Sequence, residues 1–441
     1  MSLATPPKVE KLQKALHAKA KGEPGFRFYQ LYDKVYREDI LSHAYGVCRS
    51  NRGAPGVDGE SFEAIESAGR EDWLGELAKE LRDRRYRAAP VRRVWLPKAN
   101  GGRRPLGIPT IRDRVVQTAA VLVVEPIFEA DLPPEQYAYR AGRSAHDAVR
   151  RVHALVRAGH AEVIEADLSG YFDSIPHAEL MRSVARRLSD GHLLGLIKQW
   201  LVAPAAEEDR RGGWRRTTRA KDEKRGLPQG APISPLLSNL YMRRFVLGWK
   251  VLGHERGLGA HVVNYADDFV ICCRAHAGQA MEAMREMMRR LRLTVNEDKT
   301  GICRLPGESV DFLGYTIGRC YSRQTGRAYV GTRPSKKSVC RVMREVSALT
   351  APRYTPLEAE VVVGRLNRLL VGWGNHFCLG PVSKAYRAVD AHARHRLRQW
   401  LRHKHKRRGR GAKRFPDEHL YDTLGLVYLP RRTRDFPWAK A

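Results

Sequence analysis

Two adjacent aspartates between two apolar runs, in the stretch NYADDFVICC (Asn264–Cys273), constrain this chain more than any other feature. The flanking runs read as short strands, so the chain rises, turns at Ala266 to Asp268 and returns from Phe269 to Cys273. Successive residues of a strand point to opposite faces, whereas at a tight hairpin both carboxylates can converge on one cation. An isolated Asp-Asp pair is most often a solvated turn, since Asp favours turns. Here Val262, Val263, Val270 and Ile271 crowd both sides, and burial beside them traps like charges at a cost that cations remove.

A third carboxylate stands in VIEADLSGYFDSI, where another short strand ends at Asp167 and continues into Leu168, Gly170 and Phe172. Three carboxylates can share two divalent ions. Nucleotidyl transfer uses one ion to activate a primer hydroxyl and a second, about 4 Å away, to hold the triphosphate and the leaving pyrophosphate. Asp167 and Asp267 are expected to bridge the ions, with Asp268 and Leu168 completing the metal-binding set. Mg²⁺ is the expected ion, with Mn²⁺ as the substitute. Asp173 lies past the end of the strand and reads as a helix cap or turn residue, outside the site.

Charge names the partner class. Lys and Arg outnumber Asp and Glu by 79 to 48, a formal +31, which suits a polyanion and above all nucleic acid. A membrane is not expected, because the longest apolar run, Ala119 to Val124, is closed by Glu125 and Pro126 far short of a span. The first twenty residues mix Lys, Glu, His and Pro with no apolar stretch or cleavage site, so a cytoplasmic protein is expected. Seven cysteines without a CxxC pair exclude a disulfide framework and a zinc ribbon, and read as buried thiols. The sixteen histidines lack the spacing of a metal site and read as scattered surface residues, which leaves an HNH-type nuclease unsupported.

Periodicity then organises the chain. Residues 1–55 read as a basic, mostly helical extension ending in the glycine- and proline-punctuated loop Asn51 to Gly59. VRRVWLPKANGGRRPLGIP, Val91 to Pro109, reads as strand, turn, strand, and Val115, Val116, Ala119, Leu122 and Val123 recur at the spacing of a buried helix. From Glu162 to Tyr315 short β-rich runs alternate with helical stretches, the pattern of an α+β domain with a mostly antiparallel sheet and helices on one face. Met281, Met284, Met288 and Leu291 form one helical stripe assigned to core packing. Beyond Thr332 the chain reads helical, with Val382, Tyr386, Val389, Ala393, Leu397 and Trp400 on one face of a long basic helix.

In chain order, PKANGGRRPLGIP, AYRAGRSAHDA, ADLSGYFDSI, RGLPQGAPISPLLSNLYM, NYADD, VNEDKT and FLGY resemble the consecutive blocks of the reverse transcriptase family. More narrowly, the chain is similar to the group II intron reverse transcriptase and maturase branch, without a nuclease domain. PSKKSV at 334–339 and LNRLLVGWGNHFCLG at 366–380 look like the maturase segment of that branch. Where the branch usually shows Gly-Phe-Arg-Pro-Gly-Arg, this chain has Ala138, Tyr139, Arg140, Ala141, Gly142 and Arg143.

The resemblance implies a right-hand polymerase, with fingers over 56–160, a catalytic palm over 161–322 and an α-helical thumb and maturase region over 323–441. It implies Asp167, Asp267 and Asp268 as catalytic carboxylates and Lys299 as the acid that protonates departing pyrophosphate. Lys98 and Arg104 straddle the turn at Asn100 to Gly102 and can clamp a triphosphate, while Gln229 in the GLPQG loop can reach the nucleotide by hydrogen bonds. Phe172 sits where relatives place an aromatic under the sugar, excluding a 2′-hydroxyl; a buried core phenylalanine is the other reading. Arg140, Arg143, Gly314, Arg394, Arg398 and Arg402 are the expected nucleic-acid contacts. The last three open a run from Arg394 to Arg414 with eleven Lys or Arg and no acid, a stripe suited to a duplex backbone. The tail from His419 reads either as a remnant of a DNA-binding domain or as a segment packed on the thumb.

The expected partners are therefore an RNA template, a DNA primer or target DNA, dNTPs and a group II intron RNA. Two rival readings remain at this stage: an RNA-binding splicing factor without polymerase activity, and a domesticated reverse transcriptase in DNA repair or phage defence.

Overall fold

The computed structural model describes residues 3–97, 102–209, 213–322, 324–406 and 413–434. Helix α1 (Pro7–Gly22) starts on a proline, whose missing N–H is not needed in a first turn, and carries Lys19 and Lys21 at its negative end. Together with α2 (Glu38–Ser50) it is packed in: Val9, Leu16, Ile40, Leu41, Ala44 and Tyr45 share one core with Leu77, Val116 and Ile197.

β1 (Val91–Pro97) and β2 (Arg103–Ile108) pair antiparallel, with Leu96 opposite Arg104. Residues 98–101, which include Lys98 and most of the expected turn, lie outside the described residues. The buried helix that follows, α3 (Ile111–Glu129), opens on a Thr110 cap that accepts from the Asp113 N–H. It does not stop at Pro126. The missing proline N–H leaves the Leu122 carbonyl without a helical partner, and Gln13 Nε2 of α1 fills it at 3.0 Å.

α4 (Ala145–Arg157) leads into β3 (Glu162–Asp167). β4 (Ala205–Glu208) joins β1 in parallel and β5 (Trp214–Thr217) antiparallel, closing a fingers sheet of order β2-β1-β4-β5. After α5 (Ser234–Val251), strands β6 (Ala260–Tyr265) and β7 (Asp268–Cys273) form the expected hairpin. α6 (Ala277–Arg290) and β8 (Gly301–Arg304) follow, and the palm sheet runs β6-β7-β3-β8 with every pair antiparallel.

Helices were expected on one face of this sheet, but both faces are covered. Along β7, Phe269, Ile271 and Cys273 enter the core shared with the fingers, α5 and α6; Val270 and Cys272 enter a second core shared with α4 and the thumb. That double burial is why this run is continuously apolar instead of alternating. The methionine stripe of α6 packs into the first core as expected, with Met281, Met284 and Met288 buried, each such side chain contributing roughly 1.5–3 kcal/mol.

β9 (Ser309–Phe312), β10 (Tyr315–Tyr321) and β11 (Ala328–Pro334) form a third, antiparallel sheet, so a palm boundary at 322 cuts the β10–β11 hairpin. The region expected as thumb holds α7 (Lys336–Leu349), α8 (Ala359–His376) and α9 (Ser383–Lys404). The apolar face expected on α9 is buried throughout. Asp390, on the same helix, accepts from Tyr421 Oη at 2.6 Å and the Leu429 N–H at 3.1 Å. The described part of the tail is thereby packed on the thumb, with Leu420, Leu426 and Leu429 buried.

Two compositional expectations need correction. Cys340 is exposed and Cys303 half-buried, the other five thiols being buried. His43, His160 and His177 are buried too, His177 Nε2 within 2.8 Å of the Gly226 carbonyl, so the histidines are not all on the surface. Among the described residues no helix is long and apolar enough to cross a membrane.

Candidate active site

Register brings the first two carboxylates together. Asp167, the last residue of β3, is the direct cross-strand partner of Asp268, the first of β7. Residues so paired put their side chains on one face with Cβ atoms roughly 4.5–5.5 Å apart. Asp267 joins from the two-residue turn before β7, where Ala266 takes the left-handed conformation at φ 58°. That costs about 1–2 kcal/mol for a residue with a Cβ. Buried Asn264 holds the turn, its Nδ2 donating to the Ala266 carbonyl at 2.8 Å. Its own backbone is clasped by the Glu135 carbonyl and the Tyr137 N–H.

Electrostatics mark the site. Burial, then the neighbouring charges of Asp267, Glu165 and Asp167, push the Asp268 carboxyl up to about 7. Neither the Asp267 nor the Asp268 carboxylate takes a hydrogen bond or ion pair from the described residues. Asp167 does: its Oδ2 accepts from Lys299 Nζ and from Asn296 Nδ2, both at 3.0 Å. Among the described residues no three His, Cys, Asp or Glu side chains are already drawn tightly enough to hold an ion by themselves. The donor set is nevertheless all oxygen and, with three carboxylates against the one lysine, net negative, which is what a hard divalent cation requires.

The expected nucleotide-binding side chains form a polar chain. Arg104 Nε donates to Gln229 Oε1 at 2.7 Å, and Gln229 Nε2 donates to Asp173 Oδ2 at 3.3 Å. Asp173 stands in the first turn of the short helix Tyr171–Ser174 and does not cap it, the cap position being Gly170. The Gln229 carbonyl accepts the Gly107 N–H at 2.6 Å, and a Cβ on Gly230 (φ 106°) would stand 2.5 Å from the Gly107 carbonyl oxygen. That glycine lets the loop dock closely on β2. Phe172 is buried in the first core, and its carbonyl accepts the Leu227 N–H at the start of the same loop. Leu168 is buried and bridges to Val295.

Several expected nucleic-acid contacts are turned inward. Arg140 is only 5% exposed; its guanidinium binds Glu129 and the carbonyls of Pro133 and Gln136. Arg398, 14% exposed, donates to Asp417 and to the Phe415 carbonyl, and Arg394 pairs with the same Asp417. Gly314 (φ 80°) packs against Phe377 and accepts from the Ser335 N–H and Ser338 Oγ, tying the third sheet to the thumb. These four side-chain or turn positions hold the protein together. Arg143 stays exposed, its guanidinium 5.4 Å from the Tyr137 ring centroid, and Arg402 is half-buried. Part of the basic run beyond it, residues 407–412, lies outside the described residues.

Three residues near the site stand inside the family-like blocks NYADD, VNEDKT and AYRAGRSAHDA without announcing a role. Asn264 and Asn296 are ordinary polar residues until the fold shows what they hold. Tyr139 is 52% exposed at φ 55°, and the charges of Asp267 and Arg104 both bear on its phenol. Its place opposite the phenylalanine of the Gly-Phe-Arg-Pro-Gly-Arg pattern was the one available hint.

Comparison with known proteins agrees with this geometry. Residues 96–317 match the family described as reverse transcriptase (RNA-dependent DNA polymerase), and residues 339–415 match the maturase-specific domain of group II introns. Protein YkfC of Escherichia coli (strain K12) is 34% identical over 368 residues, covering 75% of this chain and 93% of that one. The group II intron-encoded protein LtrA of Lactococcus lactis subsp. cremoris is 30% identical over 230 residues, 51% of this chain and 36% of LtrA. An uncharacterized 91 kDa protein in the cob intron of Schizosaccharomyces pombe is 23% identical over 417 residues, 78% of this chain and 50% of that protein. The chain thus spans nearly all of YkfC but half or less of the other two.

Proposed function

Because the chain belongs to the reverse transcriptase family and carries a group II intron maturase domain, we propose that Asp167, Asp267 and Asp268 are the catalytic centre through which it copies primed RNA into DNA. It is a right-hand, RNA-directed DNA polymerase that depends on divalent metal. The observation that carries the assignment is the Asp167–Asp268 pair beside Asp267, three acids in a partly buried patch of an otherwise strongly basic protein.

The residues would hold two Mg²⁺ ions, or Mn²⁺ in their place, through the three carboxylates and the backbone of Leu168. When bound, such ions supply Lewis acidity toward a primer hydroxyl and a triphosphate. The chain's own groups do the rest. Arg104, held by Gln229, offers its guanidinium to the phosphates of a dNTP, a role shared with Lys98. Phe172 backs the floor below the sugar, beneath the GLPQG loop. Lys299, 63% exposed, carries a proton at Nζ close to the carboxylates and can pass it to the pyrophosphate as it leaves.

The same reading assigns 56–160 to the fingers, the palm sheet to catalysis, and the thumb and maturase region to the nucleic-acid duplex and an intron RNA. Residues 7–50 are best counted with the fingers, whose core they share. The test is dTTP incorporation on a poly(rA) template primed with oligo(dT), comparing the wild type with Asp267→Ala. Incorporation by the wild type and its loss in the variant are expected; equal activity in the two would overturn the assignment.

A further inference from the structure

The segment Thr294–Thr300 closes around the end of β3. The Ser169 N–H donates to the Thr294 carbonyl at 2.8 Å, Leu168 and Val295 form an antiparallel bridge, and the Asn296 N–H donates to the Asp167 carbonyl at 2.8 Å. From the same turn Asn296 Nδ2 reaches back to Asp167 Oδ2 at 3.0 Å. One residue therefore grips Asp167 twice, by its backbone and by its carboxylate.

The partners of that carboxylate are unequal. Lys299 meets the same Oδ2, but its side chain is largely exposed and turns about four bonds, so it does not by itself fix a rotamer. Asn296 has two side-chain torsions, a backbone already anchored to the residue it holds, and no charge to compete with a cation. With both donors on Oδ2, no described residue donates to Oδ1. A ligating carboxylate whose second oxygen is hydrogen-bonded is oriented before the ion arrives, and such outer partners typically matter 10–100-fold in metal affinity.

We infer that Asn296 is a positioning residue for the metal centre: it locks the Asp167 carboxylate through Oδ2 and so keeps Oδ1 available to a divalent cation. The inference rests on Asp167 being a metal ligand. A purely structural Asn296 would leave metal binding alone once the protein is folded.

The experiment uses the full chain without primer or nucleotide and follows Mn²⁺ binding by electron paramagnetic resonance, with the thermal midpoint in chelator as a check on folding. Asn296→Ala, and Asn296→Ser, which keeps a polar side chain too short to reach Oδ2, should weaken Mn²⁺ binding about 10–100-fold with midpoints close to wild type. Excess Mn²⁺ should restore much of the kcat lost in either variant. In an Asp167→Ala background the Asn296→Ala change should weaken binding no further, since the two act through one carboxylate. Wild-type Mn²⁺ affinity in both Asn296 variants, or an equal loss with and without Asp167, would overturn the inference. Unaltered Mn²⁺ binding in Asp167→Ala alone would remove the metal reading of Asp167 and the inference with it.

Discussion

At one end of the β3–β7 ladder Glu162 faces Cys273, and at the other Asp167 faces Asp268. Both ends carry acids on the same pair of strands, yet the surroundings differ. Glu162 Oε2 accepts the Ala277 N–H at 3.1 Å, at the start of α6, where the capping position His276 supplies no side-chain bond of its own; its Oε1 meets Arg304 at 3.2 Å. A free helix N–H and a cation are thus both satisfied. At the far end Asp268 is crowded by burial and by the charges of Asp267, Glu165 and Asp167, which outweigh the one opposing charge of Lys299. One acid stabilises the fold, and the other is kept short of positive charge by it.

Substitutions at the two ends should therefore act on different properties. Asp268→Asn should lower incorporation of dTTP by about 10³-fold, the loss of several kcal/mol of ion-mediated stabilisation. In chelator the same change should raise the thermal midpoint, because it removes a carboxylate repelled by its neighbours; a lowered midpoint would break the comparison. Lys299→Met should cost about 10²-fold in kcat, the scale of a general acid, with a smaller effect on primer-template binding. Glu162→Gln should leave kcat within about twofold while lowering unfolding free energy in urea by about 1 kcal/mol, as for a lost helix cap. Arg304→Ala should do least, below about 0.5 kcal/mol with no kinetic effect, since the guanidinium is 69% exposed.

Legibility followed the same divide. The three aspartates, the hairpin between β6 and β7, the methionine stripe of α6 and the apolar face of α9 were all readable, because strand and helix periods are local properties. The partners of arginines were not. Nothing in the identity of Arg140 says that Glu129 waits for it eleven residues back, or that Asp417 folds over to take Arg394 and Arg398. A run of basic residues fixes total charge, whereas which guanidinium faces solvent depends on tertiary packing. The parallel join of β1 to β4 was equally hidden, since it links strands more than a hundred residues apart, and two short strands carry no sign of their partner. Asn296 stands in VNEDKT without a role its identity declares, because a neutral amide becomes a tether only when a carboxylate comes within reach.

The interdigitation of β7 into two cores has a mechanical corollary. Phe269, Ile271 and Cys273 face the fingers side and Val270 and Cys272 the thumb side, within six consecutive residues that begin at Asp268. A strand shared this closely cannot loosen toward one neighbour while staying rigid toward the other. Melting of the thumb should accordingly be felt at the catalytic hairpin, and unfolding should proceed as one cooperative event across both cores instead of lobe by lobe.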